Sequence, residues 1–377
     1  MVKDKPLSFL HVDKAEVDLD PSVYIYDDAV YEKARTNFLA LRSSGKMLKD
    51  ETDCYYIYQL KMDDHVQTGI VACLSVDDYL NGKIKKHELT MADKEADRIR
   101  HVDTLDANTG PIFLTQRPDR TLSAITAGWM SAHESIFSFT AESVKHEGWI
   151  VDNPEIITEI SACFDRIPAL YIADGHHRCA SAVKVAQKRR EANPGYAGSE
   201  EFNYFLSVIF PSDQLSIFDY NRVIKDLNNL NEAEFLDRIK TVFDIEPAQG
   251  VVKPSAKHEF GLYLNGAWYN LHAKTGKWND NDPVERLDVS LLQNLLLGPI
   301  LGINDPRTDK RIDFVGGIRG LSELERRVKN DMAVAFSMYP TTLDDLMGIA
   351  DAGRIMPPKS TWFEPKLLSG LFIHDLN

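Results

Sequence analysis

The chain has 377 residues, of which 44% are hydrophobic and 27% are charged, a composition typical of folded globular proteins and not of disordered ones. It is longer than one hydrophobic core usually serves, so we expect two or three domains. The formal net charge is −14. Because nucleic-acid binding depends on neutralising phosphates, this charge argues against a nucleic-acid partner, whereas a local basic pocket remains compatible with a small anionic ligand.

Cysteine usage and hydropathy indicate a cytoplasmic protein without a membrane partner. The cysteines have neither CxxC nor zinc-like spacing, as expected for reduced thiols; they are Cys54, Cys73, Cys163 and Cys179. The longest apolar run, at about residues 291–303, is too short to span a bilayer and is interrupted by Pro299. Residues 1–5 lack the apolar core of a signal peptide. The oligomeric state stays open.

Apolar spacing predicts alternating strands and helices in the first half of the chain. The predicted elements are a helix at 29–42, a hairpin of 54–60 with 69–74, a helix capped by Thr90 and Asp93, a strand at 143–151 and a helix opened by Asn153 and Pro154. Between Leu114 and the strand at 143 we expect loops of small residues.

Residues 82–90 form the first stretch with functional potential, since they are basic in an acidic protein. Three lysines precede His87 and Glu88, and a helix is predicted directly afterwards. Glu88 is interpreted in two ways. It is either a surface carboxylate that stabilises the positive end of the helix dipole or, beside His87, a general base near a phosphate site.

A second stretch combines a short β-rich strand at 169–173, a turn and a helix. The turn and the start of the helix contain Asp174, Gly175, His176, His177 and Arg178. The first N–H groups of a helix lack internal partners and that end is partially positive, so the turn suits an anion such as phosphate. The alternative is a helix cap flanked by surface histidines. We favour a functional role because titratable groups cluster at working sites.

Further elements are predicted towards the C-terminus: a strand at 204–211, a helix at 231–242, a hairpin around Asn265-Gly266, a helix from 289, and a strand, glycine turn and helix at 311–328. The candidate substrate-binding residues in this part are Asn221, Arg222, Lys359, Ser360 and Thr361. The first two either face the same pocket as the turn or satisfy a local turn. The proline-flanked tail holding the other three either contacts phosphate or packs as a terminal strand.

Taken together, these segments resemble the DUF1015 family of bacterial and archaeal proteins. The resemblance covers nearly the whole chain and rests on PLSFLHVDK, GIVACLSVDDYLNGKIKKHELT, YIADGHHR, FDYNRVIKDL, LDVSLLQ, LGINDPRTDKRIDFVGGIRG and MPPKSTWFEPKLLSGLFIH. The DGHHR turn is also similar to that of the ParB/sulfiredoxin superfamily, in which the corresponding turn binds nucleotide phosphates. One branch of that superfamily consists of free L-serine kinases, which use ADP or ATP and place a glutamate as base upstream of this turn.

This resemblance implies a mixed α/β (α+β) fold, with a ParB/sulfiredoxin-like nucleotide-binding domain in residues 1–227 and a C-terminal α/β domain in residues 228–377. It implies a phosphotransferase that moves a phosphoryl group from ATP or ADP to the hydroxyl of a small metabolite, with free L-serine as the leading acceptor. Glu88 would act as the base with His87 beside it, and residues 174–178 would bind the nucleotide. Mg²⁺ is expected with the nucleotide, and Asp174 would hold the turn or this ion.

Two alternatives belong to other functional classes. A non-catalytic, ParB-like nucleotide-binding regulator should present a basic DNA-reading helix, which the net charge of −14 opposes. A sulfiredoxin-like reductase would use Cys179, but sulfiredoxins carry their cysteine before the histidine-arginine pair, whereas Cys179 follows Arg178.

Overall fold

The computed structural model describes Val2 and residues 4–377, so Met1 and Lys3 of the N-terminal segment lie outside the described residues. The chain forms two compact units: one runs to Leu215 and includes Pro365–Asn377, and the other is Ser216–Glu364. Both combine helices with sheets, which confirms the mixed α/β class. The division into 1–227 and 228–377 stays a prediction, because it concerns where the functional regions lie and not how tightly the chain packs.

Elements are numbered along the whole chain. The strands of the first unit are β1 (Tyr55–Met62), β2 (His65–Ser75), β3 (Ile84–Lys85), β4 (Ala107–Asn108), β5 (Ile112–Gln116), β6 (Phe137–Ala141), β7 (Val144–Val151), β8 (Leu170–Asp174), β9 (Tyr204–Pro211) and β18 (His374–Asp375). Its helices are α1 (Leu10–Asp13), α2 (Asp28–Ser43), α3 (Val76–Leu80), α4 (Ala92–Leu105), α5 (Arg120–Ala132), α6 (Pro154–Arg166) and α7 (His176–Ala192).

Most of the predicted elements of this unit are confirmed, with two corrections. Helix α5 and strand β6 occupy residues that we expected to form loops. The predicted cap of α4 is also wrong: the residue before the helix is Met91, and the Thr90 hydroxyl donates a hydrogen bond to the Glu95 carboxylate instead. A hydroxyl two positions before a helix is too early to cap its first free N–H groups.

Eight strands of the first unit form one sheet in the order β3-β8-β5-β9-β2-β1-β7-β6. The hairpin of β1 and β2 is antiparallel, whereas β3 pairs with β8 in parallel and so does β5 with β9. Parallel neighbours end at the same edge of a sheet. The residues that follow β3 therefore lie beside the residues that follow β8.

Helix α7 packs on this sheet through small side chains. Cys179, Ala182 and Ala186 are buried in one cluster with Leu114 of β5 and Ile172 of β8. Because small side chains let the helix approach the strands closely, its position is fixed by close packing. The first turn of α7 is thus held in a defined place at the end of β8.

The second unit is built around an antiparallel sheet in the order β12-β14-β13-β16-β11-β15. Its strands are β10 (Ser216–Phe218), β11 (Tyr220–Ile224), β12 (Phe243–Ala248), β13 (Glu259–Leu264), β14 (Ala267–Ala273), β15 (Ile312–Gly316), β16 (Val334–Met338) and β17 (Trp362–Glu364). Its helices are α8 (Glu232–Ile239), α9 (Asp288–Leu292), α10 (Ser322–Asn330) and α11 (Leu343–Asp351). The predicted hairpin is confirmed, with Asn265 and Gly266 both at positive φ between β13 and β14.

Gly261 of β13 generates a stability prediction. A methyl group at this position would overlap the Ser337 hydroxyl and lie 2.8 Å from the carbonyl oxygen of Val252. Gly261→Ala should lower the free energy of unfolding by about 2 kcal/mol, measured by urea denaturation, because an overfilled core must shift its backbone. Gly250→Ala is the matched control: a methyl group at Gly250 would lie in open space, so the free energy of unfolding should change little. Equal losses in both variants would contradict the prediction.

Asp288, the first residue of α9, is buried and incompletely hydrogen-bonded. Its Oδ1 accepts the His258 N–H at 2.8 Å, whereas its Oδ2 has no hydrogen-bond partner among the described residues. Burial raises the pKa of Asp288 to about 7. The unfolded chain releases this proton near pH ~4, so the folded state loses relative stability as the pH rises from about 4 to 7.

Asp288→Asn should remove this contribution to the pH dependence, because the amide is neutral throughout and keeps an oxygen for the His258 N–H. At pH 8 the variant should be more stable than the wild type by up to about 4 kcal/mol, and near pH 4 the two should be about equal. Urea unfolding at both pH values measures the difference. If the wild type is more stable than Asp288→Asn at pH 8, the buried carboxylate of Asp288 does not destabilise the folded state.

Candidate functional site

The site begins where β3 and β8 end side by side. Ile84 pairs with Leu170 and Lys85 with Tyr171 in parallel register. Both segments leave the sheet at the same edge and in the same direction, so the residues after β3 lie beside the residues after β8. This short pairing carries His87 and Glu88 to the turn at Asp174.

The turn between β8 and α7 depends on Gly175, which adopts φ +92° as the residue preceding the helix. Only glycine takes this conformation without strain. A Cβ atom at this position would lie 3.2 Å from Nε of Arg178, so the guanidinium folds back across the turn. The first N–H groups of α7 have no intrahelical acceptors, and Arg178 adds a fixed cation beside them. Together they form an arrangement that suits an anion.

Asp174 closes β8 and is held as a carboxylate. Its Oδ1 accepts the N–H of Gly175 at 2.8 Å, and its Oδ2 accepts from Nζ of Lys366 at 2.9 Å. Burial tends to raise the pKa of Asp174, but the charges of Lys366 and Arg178 together with these hydrogen bonds outweigh it and leave the pKa below its usual value. The negative charge at the turn is therefore already balanced by neighbouring cations.

His87, Glu88 and His176 form a compact cluster at the start of α7. One potential ligand atom from each lies within 4.8 Å of the other two. The two imidazole rings are buried and nearly perpendicular, with centroids 4.5 Å apart. Burial lowers the pKa of His176 to about 4 and holds the pKa of His87 well below its ordinary value. Both rings are consequently neutral at physiological pH, next to a half-buried carboxylate.

His177 has a different environment from His176. Its Nε2 accepts the main-chain N–H of Met91 at 3.0 Å, which ties the start of α7 to the segment that opens α4. A ring nitrogen that accepts this hydrogen bond must be unprotonated. His177 therefore connects the two helices whose starts frame Glu88.

Local cations surround the turn although the protein is acidic. Nζ of Lys85 and the guanidinium of Arg117 lie over the Tyr171 ring, at 5.9 and 6.0 Å from its centroid. Nζ of Lys86 lies 5.4 Å from the centroid of the Tyr79 ring. These charges create a positive field that attracts small anions to the end of the sheet.

A groove of about 370 Å³ lies beside this turn in the first unit. It is lined by residues of α1, α2 and α4, including Tyr31, Lys94 and Arg98, and by His177. A smaller cavity of about 60 Å³ shares Arg98 with the groove and is lined by Arg178. Pockets of several hundred cubic ångströms hold small-molecule ligands. His177 of the turn therefore lines a space of ligand size, whereas the cavity at Arg178 is much smaller.

Cys179 is fully buried in the α7 packing. Burial raises the pKa of its thiol. Because the thiolate is the reactive form of cysteine, a buried thiol of raised pKa is a poor nucleophile. This environment disfavours the reductase alternative.

The five substrate-binding candidates belong to the second unit. Asn221 is buried, donates to the Asp219 carboxylate at 2.5 Å and accepts the N–H of Met338 at 2.9 Å. Arg222 is also buried and donates to the carbonyl oxygens of Tyr220 and, at 2.9 Å, Lys359. Burial lowers the pKa of Arg222 to about 10. The polar groups of Asn221 and Arg222 are thus used in hydrogen bonds that connect β11 to β16 and to the loop around Lys359.

The remaining three candidates lie in the loop before β17. The Ser360 hydroxyl is buried and donates to the Pro357 carbonyl at 2.6 Å. Lys359 is exposed, has φ +59°, and places its ammonium group 5.8 Å from the centroid of the Tyr220 ring. Thr361 is half-buried. The structure brings Lys359 and Arg222 together, and a substrate-binding role for the five residues stays a prediction.

Sequence reasoning left out two contributors to the turn. Lys366 reaches Asp174 because the chain returns to the first unit after residue 364. Arg117 stacks on Tyr171 because β5 pairs with β8. Neither contact has a local sequence signal, since each depends on which strands and tails become neighbours.

Comparison with known proteins gives a family. The model of "Protein of unknown function (DUF1015)" matches residues 1–290. The chain belongs to this family. The family resemblance seen in the sequence is thereby confirmed, while no curated protein matches the chain.

Several solved structures resemble the chain at low identity. A free serine kinase in complex with AMP has 15% identity and a TM-score of 0.42, over 81% of this chain and 91% of that one. A variant of a free serine kinase with glutamine in place of one glutamate, also with AMP, has 15% identity and a TM-score of 0.43, over 81% and 92%. SbnI from Staphylococcus aureus with a C-terminal truncation has 10% identity and a TM-score of 0.43, over 81% and 87%.

Within Val2 and residues 4–377, no helix combines the length and the hydropathy needed to cross a bilayer.

Proposed function

We propose that this protein is a cytoplasmic phosphotransferase that moves a phosphoryl group from ATP or ADP to the hydroxyl of a small metabolite, with free L-serine as the leading acceptor. The observation that carries the proposal is the position of Glu88, whose carboxylate lies within 4.8 Å of a ring nitrogen of His176, the first residue of α7. A candidate base therefore lies directly beside a turn suited to phosphate. The resemblance of the DGHHR turn to that of free L-serine kinases nominates the acceptor.

Phosphoryl transfer needs charge neutralisation at the phosphates more than covalent help from the protein. In this proposal the first N–H groups of α7 and the guanidinium of Arg178 bind the phosphates, and Gly175 lets the phosphates approach the backbone. Lys85 and Lys86 add positive potential. Mg²⁺ would arrive with the nucleotide and neutralise phosphate charge. Of the two roles expected of Asp174, holding the turn is the one that its contacts with Gly175 and Lys366 favour over binding this ion.

Glu88 would accept the proton of the attacking hydroxyl. The neighbouring imidazoles of His87 and His176 are neutral, so neither forms a strong ion pair that would reduce the basicity of the carboxylate. His87 lies two residues after Lys85, the last residue of β3, and its side chain is buried. This burial anchors the main chain next to Glu88. A positioned base of this kind contributes about 10²–10⁴-fold to rate.

The five residues predicted to bind substrate belong to the second unit. Of these, Lys359 is exposed and cationic, and its proposed role is to bind a carboxylate. Arg222 and Ser360 hold the loop that carries Lys359, while Asn221 joins β11 to β16 and Thr361 continues the loop into β17.

The first test replaces Glu88. Wild-type protein with Mg²⁺, L-serine and ATP or ADP should form phosphoserine, and Glu88→Gln should form it about 100-fold more slowly while still binding nucleotide. Glu134→Gln, an exposed glutamate elsewhere in the first unit, is the control and should match the wild type. Phosphoserine is quantified by mass spectrometry, and nucleotide binding by calorimetry.

Each outcome of this experiment decides something. If the wild type makes no phosphoserine with either nucleotide, the serine kinase assignment is wrong. Nucleotide binding without any turnover would favour the ParB-like regulator. If Glu88→Gln turns over at the wild-type rate, another group is the base.

The second test concerns the phosphate turn. Gly175→Ala should weaken ADP binding at least about tenfold, because the added methyl strains a left-handed residue and displaces Arg178. Gly198→Ala has the same φ of +92° but open space around it, so it shares the strain without disturbing a cation. Calorimetric titration of ADP into both variants separates the two effects. ADP affinity that falls equally in both variants would show that the turn has no specific role.

A further inference from the structure

The cluster of His87, Glu88 and His176 contains polar atoms that the protein itself does not satisfy. The His87 side chain is 1% exposed and the His176 side chain 8% exposed. Both ring nitrogens of His87 and Nε2 of His176 lack a hydrogen-bond partner of normal geometry among the described residues. An unsatisfied buried donor or acceptor costs about 1–3 kcal/mol, so an arrangement with three of them in one place calls for a ligand.

The geometry of the two rings excludes mutual satisfaction. Their planes meet at 88° with centroids 4.5 Å apart, so one ring edge faces the other ring's flat surface and no N–H points along a lone pair. Glu88 is half-buried and completes the cluster from the more open side. Three donor atoms from two adjacent chain segments therefore converge on one point.

The distances are close to those of a metal site. The donor atoms lie within 4.8 Å of one another, and donors around a tetrahedral zinc ion lie about 3.3 Å apart, given metal–ligand bonds of about 2.0–2.1 Å. Side-chain movements of up to about 1.5 Å would close the difference. Glu88 is half-buried whereas both imidazoles are buried, so the carboxylate has more room to adjust than either ring.

The donor types select the class of metal. Two imidazole nitrogens and one carboxylate match divalent transition metals, whereas Mg²⁺ and Ca²⁺ prefer oxygen donors only. With three protein ligands, a fourth coordination position remains available to water or to a ligand. The site therefore differs in chemistry from a Mg²⁺ that arrives with nucleotide phosphates.

We propose that His87, Glu88 and His176 bind a divalent transition-metal ion of the Zn²⁺ class. His87 and Glu88 come from the end of β3, and His176 is the first residue of α7, so the pairing of β3 with β8 assembles the site before any metal arrives. A consequence rests on the proposed function: a metal bound through Glu88 occupies the lone pairs that a base needs. Zn²⁺ should then inhibit phosphoryl transfer in the presence of excess Mg²⁺.

The binding test uses full-length, untagged protein that has been treated with chelator and contains neither nucleotide nor serine. Titration with Co²⁺ should give visible d–d absorption that saturates at one ion per chain, and Zn²⁺ should displace it. His87→Ala and His176→Ala should each weaken binding at least about tenfold. His133→Ala, which removes an exposed histidine of the same unit, is the control and should bind Co²⁺ as the wild type does.

Glu88→Gln provides a variant whose buried rings are intact. Zn²⁺ should raise the melting temperature of the wild type and raise it much less for Glu88→Gln, because an amide is a weaker ligand than a carboxylate. The proposal is overturned if the wild type shows no saturable Co²⁺ absorption, or if the absorption survives in His87→Ala and His176→Ala.

The outcomes for metal binding and for kinase activity are independent. Co²⁺ binding by a protein that makes no phosphoserine would leave the metal site in place and remove the proposed function. Phosphoserine formation by a protein that binds no Co²⁺ would support the proposed function and remove the metal site. Loss of Zn²⁺ inhibition in His176→Ala, with binding lost as well, would link the two.

Discussion

The two-residue parallel pairing of β3 with β8 is the constraint on which the candidate site depends. Parallel strands run out of a sheet at the same edge, so this pairing alone brings His87 and Glu88 beside Asp174 and the start of α7. The segments are distant in sequence, and β3 is an edge strand with one neighbour. A small number of main-chain hydrogen bonds thus positions the carboxylate, while the packing of α7 against β5 and β8 positions the turn that it faces.

Charge at the turn is arranged in two groups. Lys366 and Arg178 offset the charge of Asp174, with Lys366 hydrogen-bonded to the carboxylate and Arg178 folded across the turn. Lys85 and Arg117 lie over the Tyr171 ring and Lys86 lies over the Tyr79 ring, and these charges add positive potential at this end of the sheet. An acidic protein can therefore attract a small anion to one place while its overall charge repels longer polyanions.

The sequence predicted features whose cause is local. The strand, glycine turn and helix at 170–192 are there because an apolar run, a flexible residue and helix formers follow one another. Helix α5 was missed because small residues between 120 and 132 give a weak helical pattern. The Thr90 cap was wrong because the Thr90 hydroxyl donates its hydrogen bond to the Glu95 carboxylate and not to the helix. No local sequence signal predicts the contact of Lys366 with Asp174, because it depends on the return of the chain to the first unit. The proximity of Glu88 to the turn came from family resemblance and not from spacing.

The burial of two neutral imidazoles beside Glu88 bears on what that carboxylate does. A protonated histidine would pair with it and lower its basicity, so neutral rings suit a base. Neutral rings also present lone pairs, so the same burial suits a metal ligand. The two roles exclude each other at any moment because both use the carboxylate oxygens of Glu88. Under the two proposals, the relative affinities and concentrations of hydroxyl acceptor and metal ion would decide which of them occupies Glu88, and this competition would couple the chemistry of the turn to the supply of transition metal.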